Sequence, residues 1–231
     1  MKKRLKINGL IIFLAILLIV LFPELFFRIG KENPLNEALE VFGMSLVFLG
    51  LLFRISARGY KSEYSKQGQV LVSGGPYSLV RNPMYLGIFL VGSGIVLMLF
   101  KWWLAALLLI IFILRYVLLI FREEKKLRSL FKEEYDNYCR QVPHRVRPSL
   151  AALLTKDFHE YLPVKLKWLR REVSSTLAVL LCVMLLESWD DIRTEGWSLY
   201  LKESVGIFVI IGLFIGFVFY LSRKGGQDER I

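Results

Sequence analysis

An arginine and an asparagine lie between glycines and a proline in GGPYSLVRNPMYLG, residues 74–87. Glycine permits a tight, closely approaching backbone. Pro83 cannot sit inside a helix but suits its first turn. Arg81 and Asn82 are therefore held at the start of a helix rather than on a free loop. Further along, two carboxylates stand side by side, Glu123 and Glu124. Adjacent residues on a helix point about 100° apart, so only one of the pair can face a given ligand. The other is expected to pair with Arg81 or with a surface cation. Ionisable groups at the depth of a membrane helix end are costly unless paired or used. On composition alone such a set reads first as an ordinary helix-end charge cluster at the membrane surface, and second as a pocket that one of the glutamates faces.

The elements that must carry these groups are apolar. Of the 231 residues, 55% are hydrophobic and mean hydropathy is +0.49, too apolar for an ordinary soluble domain. The sequence predicts an all-α integral membrane protein with about six transmembrane helices and cytosolic interfacial helices. The expected spans are 7–27, 44–55 (starting as early as Glu37), 84–100, 104–121, 173–189 and 204–221. The first run has no small-residue cleavage site after it, so it reads as a retained helix rather than a signal peptide. A polar connection is expected at 28–40, and a polar, basic stretch at 57–69. Lys101, Trp102 and Trp103 mark an interface between the third and fourth spans. That turn is so short that the two spans form an antiparallel hairpin. The hairpin brings the Arg81 corner and the glutamate pair to the same end.

Beyond the fourth span, Glu124, Leu127, Phe131, Tyr135 and Tyr138 fall on one stripe at spacings of three and four, so the helix is expected to continue into the cytosol or to bend along the surface. Residues 149–171 are expected to form an interfacial helix, and 190–203 a loop.

The net charge of +11 is spread between apolar runs. With six spans and the N-terminus inside, cytosolic segments hold 25 of the 31 lysines and arginines, counting Arg54 at the inner end of the second span. The outside loops hold Arg28, Lys31, Lys101, Arg193 and Lys202, and Arg115 is left within a span. The positive-inside rule then places both termini and the two motifs on the cytosolic side. No nucleic-acid reader motif accompanies the charge, so nucleic acid is not an expected partner. Cys139 and Cys182 form no CxxC, and the two histidines are His144 and His159. No metal site is expected.

The run QVLVSGGPYSLVRNPMYLG, followed by EEKKLRSLFKEEYDNYCRQVP, resembles the isoprenylcysteine carboxyl methyltransferase family. That family belongs with the phospholipid methyltransferases among integral-membrane enzymes that use S-adenosylmethionine. The likeness covers about residues 69–148. It implies a cofactor at the cytosolic face and an oily acceptor, a lipid-like small molecule or a prenylated group, entering sideways from the bilayer.

Carried across by matching position, Gln69, Val70, Leu71 and Val72 correspond to a segment lining the cofactor pocket. Tyr77, Asn82, Pro83, Met84 and Tyr85 correspond to further cofactor contacts. Glu123 matches the glutamate that holds the cofactor, and Arg81 the arginine of the same motif; Glu124 completes the catalytic set. The cofactor carries a sulfonium cation, an amino acid head and adenine. Tyrosine faces suit the cation or the ring, and an arginine can hold a carboxylate with two bonds.

Two departures stand out. The family usually has RHP, and Asn82 replaces the histidine, although phospholipid-methylating relatives also show NPMY. The protein-methylating branch carries a substrate-linked arginine where this chain has Leu119. Arg115, one turn earlier on the same face, is the candidate substitute for substrate contact. The implied organisation is a two-helix membrane segment at 1–56, a methyltransferase core at 57–148 and a C-terminal extension at 149–231. Two other readings remain at this stage: an NAD(P)H-dependent membrane reductase of similar fold, and a non-catalytic membrane binding protein.

Overall fold

The computed structural model describes residues 17–19, 21–28, 33–146, 158–194, 196–197, 205–206, 208–217 and 220. Among these residues the protein is all-helical. A short helix α1 (Pro23–Phe26) precedes the long α2 (Pro34–Tyr64). A single helical turn α3 (Pro76–Leu79) leads into α4 (Pro83–Leu99). Then come α5 (Trp103–Phe112), a π-helical turn (Ile113–Val117) and α6 (Leu118–Gln141). The short α7 (Phe158–Tyr161), the long α8 (Leu166–Thr194) and an apolar α9 (Phe208–Phe217) complete the order.

The helix α2 starts where a cap is available. The Asn33 side chain accepts a hydrogen bond from the Leu35 amide, and Pro34 occupies the first helical position. The expected connection at 28–40 is therefore a helix from Pro34 on. The stretch at 57–69 is also helical as far as Tyr64. A helix already paid for by packing runs on through polar residues when its buried side stays apolar or small, as Ala57 and Gly59 are. The helix crosses the expected boundary at 56/57 without a break.

Two glycine pairs set the closeness of α2 and α4. A Cβ on Gly50 would lie 2.6 Å from the Gly87 carbonyl oxygen, and one on Gly43 2.6 Å from that of Gly94. Only hydrogen fits at this crossing, as in helix pairs driven by close van der Waals contact. Around it lie Val47, Leu51, Ile55, Val91 and Met98. The turn from α4 to α5 spans residues 100–102, and Gly92 faces Leu108 across the hairpin.

The C-terminal extension differs most from expectation. The second part of the expected interfacial helix and the fifth apolar run are one helix, α8, which also continues past 190 to Thr194. It is fastened to α2 by Arg58–Glu172 at 2.8 Å and Arg54–Ser175 at 2.9 Å. Residues 147–157 lie outside the described residues, as do most of the first expected span and parts of the sixth. Among the described residues, two helices are long and apolar enough to cross a membrane: Pro34–Tyr64 and the continuous Trp103–Gln141. In the second, Ile110, Ile111, Ile113, Leu114 and Leu118 are exposed, a surface that lipid rather than water would cover.

Candidate functional site

The corner before α4 is built by backbone pairing. The Arg81 amide donates to the His144 carbonyl (2.9 Å) and the Asn82 amide to the Arg145 carbonyl (3.0 Å). The Asn82 side-chain amide donates to the same Arg145 oxygen at 3.3 Å. The segment after α6 thus runs beside the RNP motif and fixes it.

The glutamate pair divides. Glu124 is buried: Arg145 Nε lies 3.1 Å from its Oε2, and Arg81 Nη1 3.6 Å from its Oε1. Arg145 also covers the Phe121 ring at 4.5 Å. Glu123 is exposed and accepts a 2.8 Å hydrogen bond from the Tyr85 hydroxyl. The two ends of the hairpin are therefore in direct contact.

Arg81 is more heavily committed than its motif suggests. Its Nη1 donates to Cys139 Sγ (2.9 Å) and its Nη2 to the Pro143 carbonyl (3.1 Å). Among the described residues its buried Nε has no hydrogen-bond partner. Burial works against the guanidinium charge. The Cys139 bond and the Glu124 carboxylate together outweigh that and raise its pKa above the ordinary arginine value.

A cavity of about 500 Å³ opens at this corner. Lys61 and Ser65 reach it from the end of α2, and Gln67 and Gly68 from the turn that follows. Val70, Leu71 and Val72 form one side, Tyr77 on α3 the floor, and Arg81 and Asn82 the corner. The opposite wall is α6: Glu123, Lys126, Leu127, Leu130, Phe131, Tyr135 and Tyr138. The helix is broken at Lys132, where φ is +43°. Past that break Tyr138 donates to the Tyr77 carbonyl at 2.7 Å, and Tyr77 donates to the Ala57 carbonyl at 3.3 Å. Burial raises the pKa of both phenols, so each remains a neutral donor.

Of the residues singled out in sequence, Val70, Leu71, Val72, Tyr77, Arg81, Asn82 and Glu123 line this cavity. Gln69 stands beside it in the turn, without lining it. Pro83 starts α4, and Met84 packs against the aromatic group of Tyr77, Tyr135 and Tyr138. Tyr85 acts on Glu123, and Glu124 holds Arg81 from behind. Arg115 is exposed on the π-turn and lines neither this cavity nor the one below. Sequence reasoning missed Lys61, Ser65, Gln67, Lys126 and Leu130 as cavity residues. The signal for two of them was present: Lys126 and Leu130 follow Glu123 by three and seven, on one helical face.

A second cavity, of about 580 Å³, is almost wholly apolar. Leu79, Leu86, Phe89, Phe112 and Val117 are among its lining side chains. Residues 77–86 contribute to both cavities, Tyr77, Arg81 and Asn82 to one and Leu79 and Leu86 to the other. A ladder of rings, Tyr85–Tyr116–Phe112–Phe89, runs between them with centroid separations of 5.4, 4.9 and 4.8 Å.

No curated protein and no solved structure matches the chain. Residues 39–134, which include the RNP corner and both glutamates, match the family model described as phospholipid methyltransferase. The match covers less than half of the chain; over that segment the protein is similar to the phospholipid methyltransferases, a family of methyl-transferring enzymes.

Proposed function

We propose that the protein transfers a methyl group from S-adenosylmethionine to a lipophilic acceptor, with the site at the cytosolic face of a six-span bundle whose termini both lie in the cytosol. The observation that carries this reading is the pair of cavities, one polar and one apolar, that share the stretch 77–86. A charged donor suits the first and a hydrocarbon tail the second. The family match, the two long apolar helices and the distribution of lysine and arginine support the membrane setting.

The residues present fit the donor. A cavity of about 500 Å³ is of the size that holds a small organic cofactor. Tyr77, Phe131, Tyr135 and Tyr138 offer aromatic faces for a sulfonium or an adenine ring. Glu123 can accept hydrogen bonds from an ammonium or a ribose, and Lys61 and Lys126 stand at the rim for a carboxylate. When bound, S-adenosylmethionine supplies an electrophilic methyl group on sulfur. The chain's own part is to hold donor and acceptor in line at near-attack distance, which can supply most of the rate. With an anionic acceptor, charge is neutralised as the methyl moves, so exclusion of water from the path would help.

The test is calorimetric binding of S-adenosylmethionine to the full chain in lipid nanodiscs, with NADPH as the comparison, followed by transfer of labelled methyl into a total lipid extract. Binding of the first cofactor and label in an organic-soluble product are expected. Leu90→Phe, which narrows the apolar cavity, is expected to raise KM for the acceptor and leave cofactor affinity unchanged. Binding of NADPH alone, or of neither, would overturn the reading.

A further inference from the structure

We propose that Trp168, on α8 and outside the matched segment 39–134, is a positioning residue for the donor cavity, acting through Tyr60; this rests on the cavity being the S-adenosylmethionine site. The indole is 1% exposed and lies directly on Gly59 of α2, where any Cβ would overlap it. Its Nε1 donates to Glu63 at 2.7 Å, and Lys165 holds the same carboxylate at 2.8 Å. The ring is thus held in one orientation by a contact that admits only glycine and by a charge-assisted bond.

Tyr60 meets this indole edge-on, with centroids 6.2 Å apart and planes at 74°. Its far side fills the space over the double glycine. A Cβ on Gly74 would lie 2.6 Å from the Tyr60 hydroxyl oxygen, and one on Gly75 2.8 Å from its ring. Gly75, at φ +56°, is the cap from which α3 starts, and α3 carries Tyr77 into the donor cavity. Tyr60 packs both against the apolar core that includes Trp168 and against the aromatic group of Tyr77, Tyr135 and Tyr138. The order of contact is Trp168, Tyr60, the Gly74–Gly75 turn, Tyr77. The C-terminal extension therefore sets the floor of a site whose lining, among the described residues, lies before Val142.

The experiment uses the full chain in nanodiscs and compares Trp168→Ala, Trp168→Phe and Tyr60→Leu with Arg54→Ala. The last breaks a different α2–α8 contact, the bond to Ser175; Arg54 packs beside Gly87 and does not line the cavity. Two readouts accompany the thermal midpoint: amide hydrogen exchange of the peptide spanning 73–79 in the cofactor-free protein, and S-adenosylmethionine affinity. Trp168→Ala and Tyr60→Leu are expected to speed that exchange and to weaken affinity about tenfold, a scale set by the cost of small misplacements. Trp168→Phe, which keeps a ring, is expected to recover most of both. Arg54→Ala is expected to lower the midpoint and change neither.

Unchanged exchange and affinity in Trp168→Ala and Tyr60→Leu would overturn the proposal, as would equal loss in Arg54→Ala. If Trp168→Ala does not fold, Tyr60→Leu decides it on the same readouts. Should the wild type fail to bind S-adenosylmethionine, the methyl-donor reading falls on its own. The exchange data then still decide whether Trp168 holds the turn.

Discussion

The hydroxyl of Tyr85 donates to the carboxylate of Glu123 across 2.8 Å, joining the first turn of α4 to α6. This bond aims the one glutamate of the pair that lines the cavity proposed for the donor. Tyr85 is itself braced by Tyr116 at 5.4 Å. Glu123→Gln keeps the shape and removes the charge at an exposed position, so stability should change by less than about 0.5 kcal/mol. Donor affinity should fall about tenfold, as for loss of a charge-assisted bond of about 1.5 kcal/mol. Tyr85→Phe should give a smaller loss, about fivefold, from the freed carboxylate. Calorimetry on both variants checks the order.

Arg81 should behave differently, because it is structural as well as exposed to the cavity. Arg81→Ala leaves buried Glu124 with Arg145 alone and strips the Pro143 carbonyl of its donor. Breaking a buried ion pair from one side is costly, here on the order of 3 kcal/mol with one partner remaining. A lowered thermal midpoint together with lost donor binding is expected, whereas Glu123→Gln should show the second effect without the first.

Gly50→Ala tests the glycine crossing. The added methyl would meet the Gly87 carbonyl at 2.6 Å and the Val91 amide nitrogen at 2.8 Å, and neither backbone atom can swing aside. Overpacking of this kind costs about 1–3 kcal/mol. Because α4 begins at the RNP corner, its displacement should also weaken donor binding. Unfolding in detergent and calorimetry on the same sample measure the two effects.

Tyr77 and Tyr138 make stability depend on alkaline pH. Both phenols have pKa values raised by burial, so the folded protein holds these protons more tightly than the unfolded chain. Their contribution is complete below the unfolded phenol value of about 10, and is lost as pH rises through the higher folded values. Tyr138→Phe should cost about 1 kcal/mol near neutrality, from the bond to the Tyr77 carbonyl. It should then decline less steeply than the wild type above about pH 10. Denaturant titrations across that range test the slope.

The sequence by itself determined the helical class, the hairpin of α4 and α5, and the meeting of an arginine–asparagine corner with a glutamate pair. Each follows from local rules: proline at a first turn, a short connection, and apolar runs of helical length. Three things were decided only by tertiary structure. The π-turn at Ile113–Val117 inserts extra backbone and turns everything downstream by roughly a residue's worth of angle, so which glutamate faces the cavity depends on it. The merging of an expected surface helix with the fifth apolar run depends on the contacts of α8 with Arg54, Arg58 and Gly59, more than a hundred residues away. The third is the role of Arg81, which its motif marks as a ligand group but which Glu124, Cys139 and Pro143 already engage. Local spacing fixes the direction of a side chain relative to its own helix; what it meets there depends on segments distant in the chain.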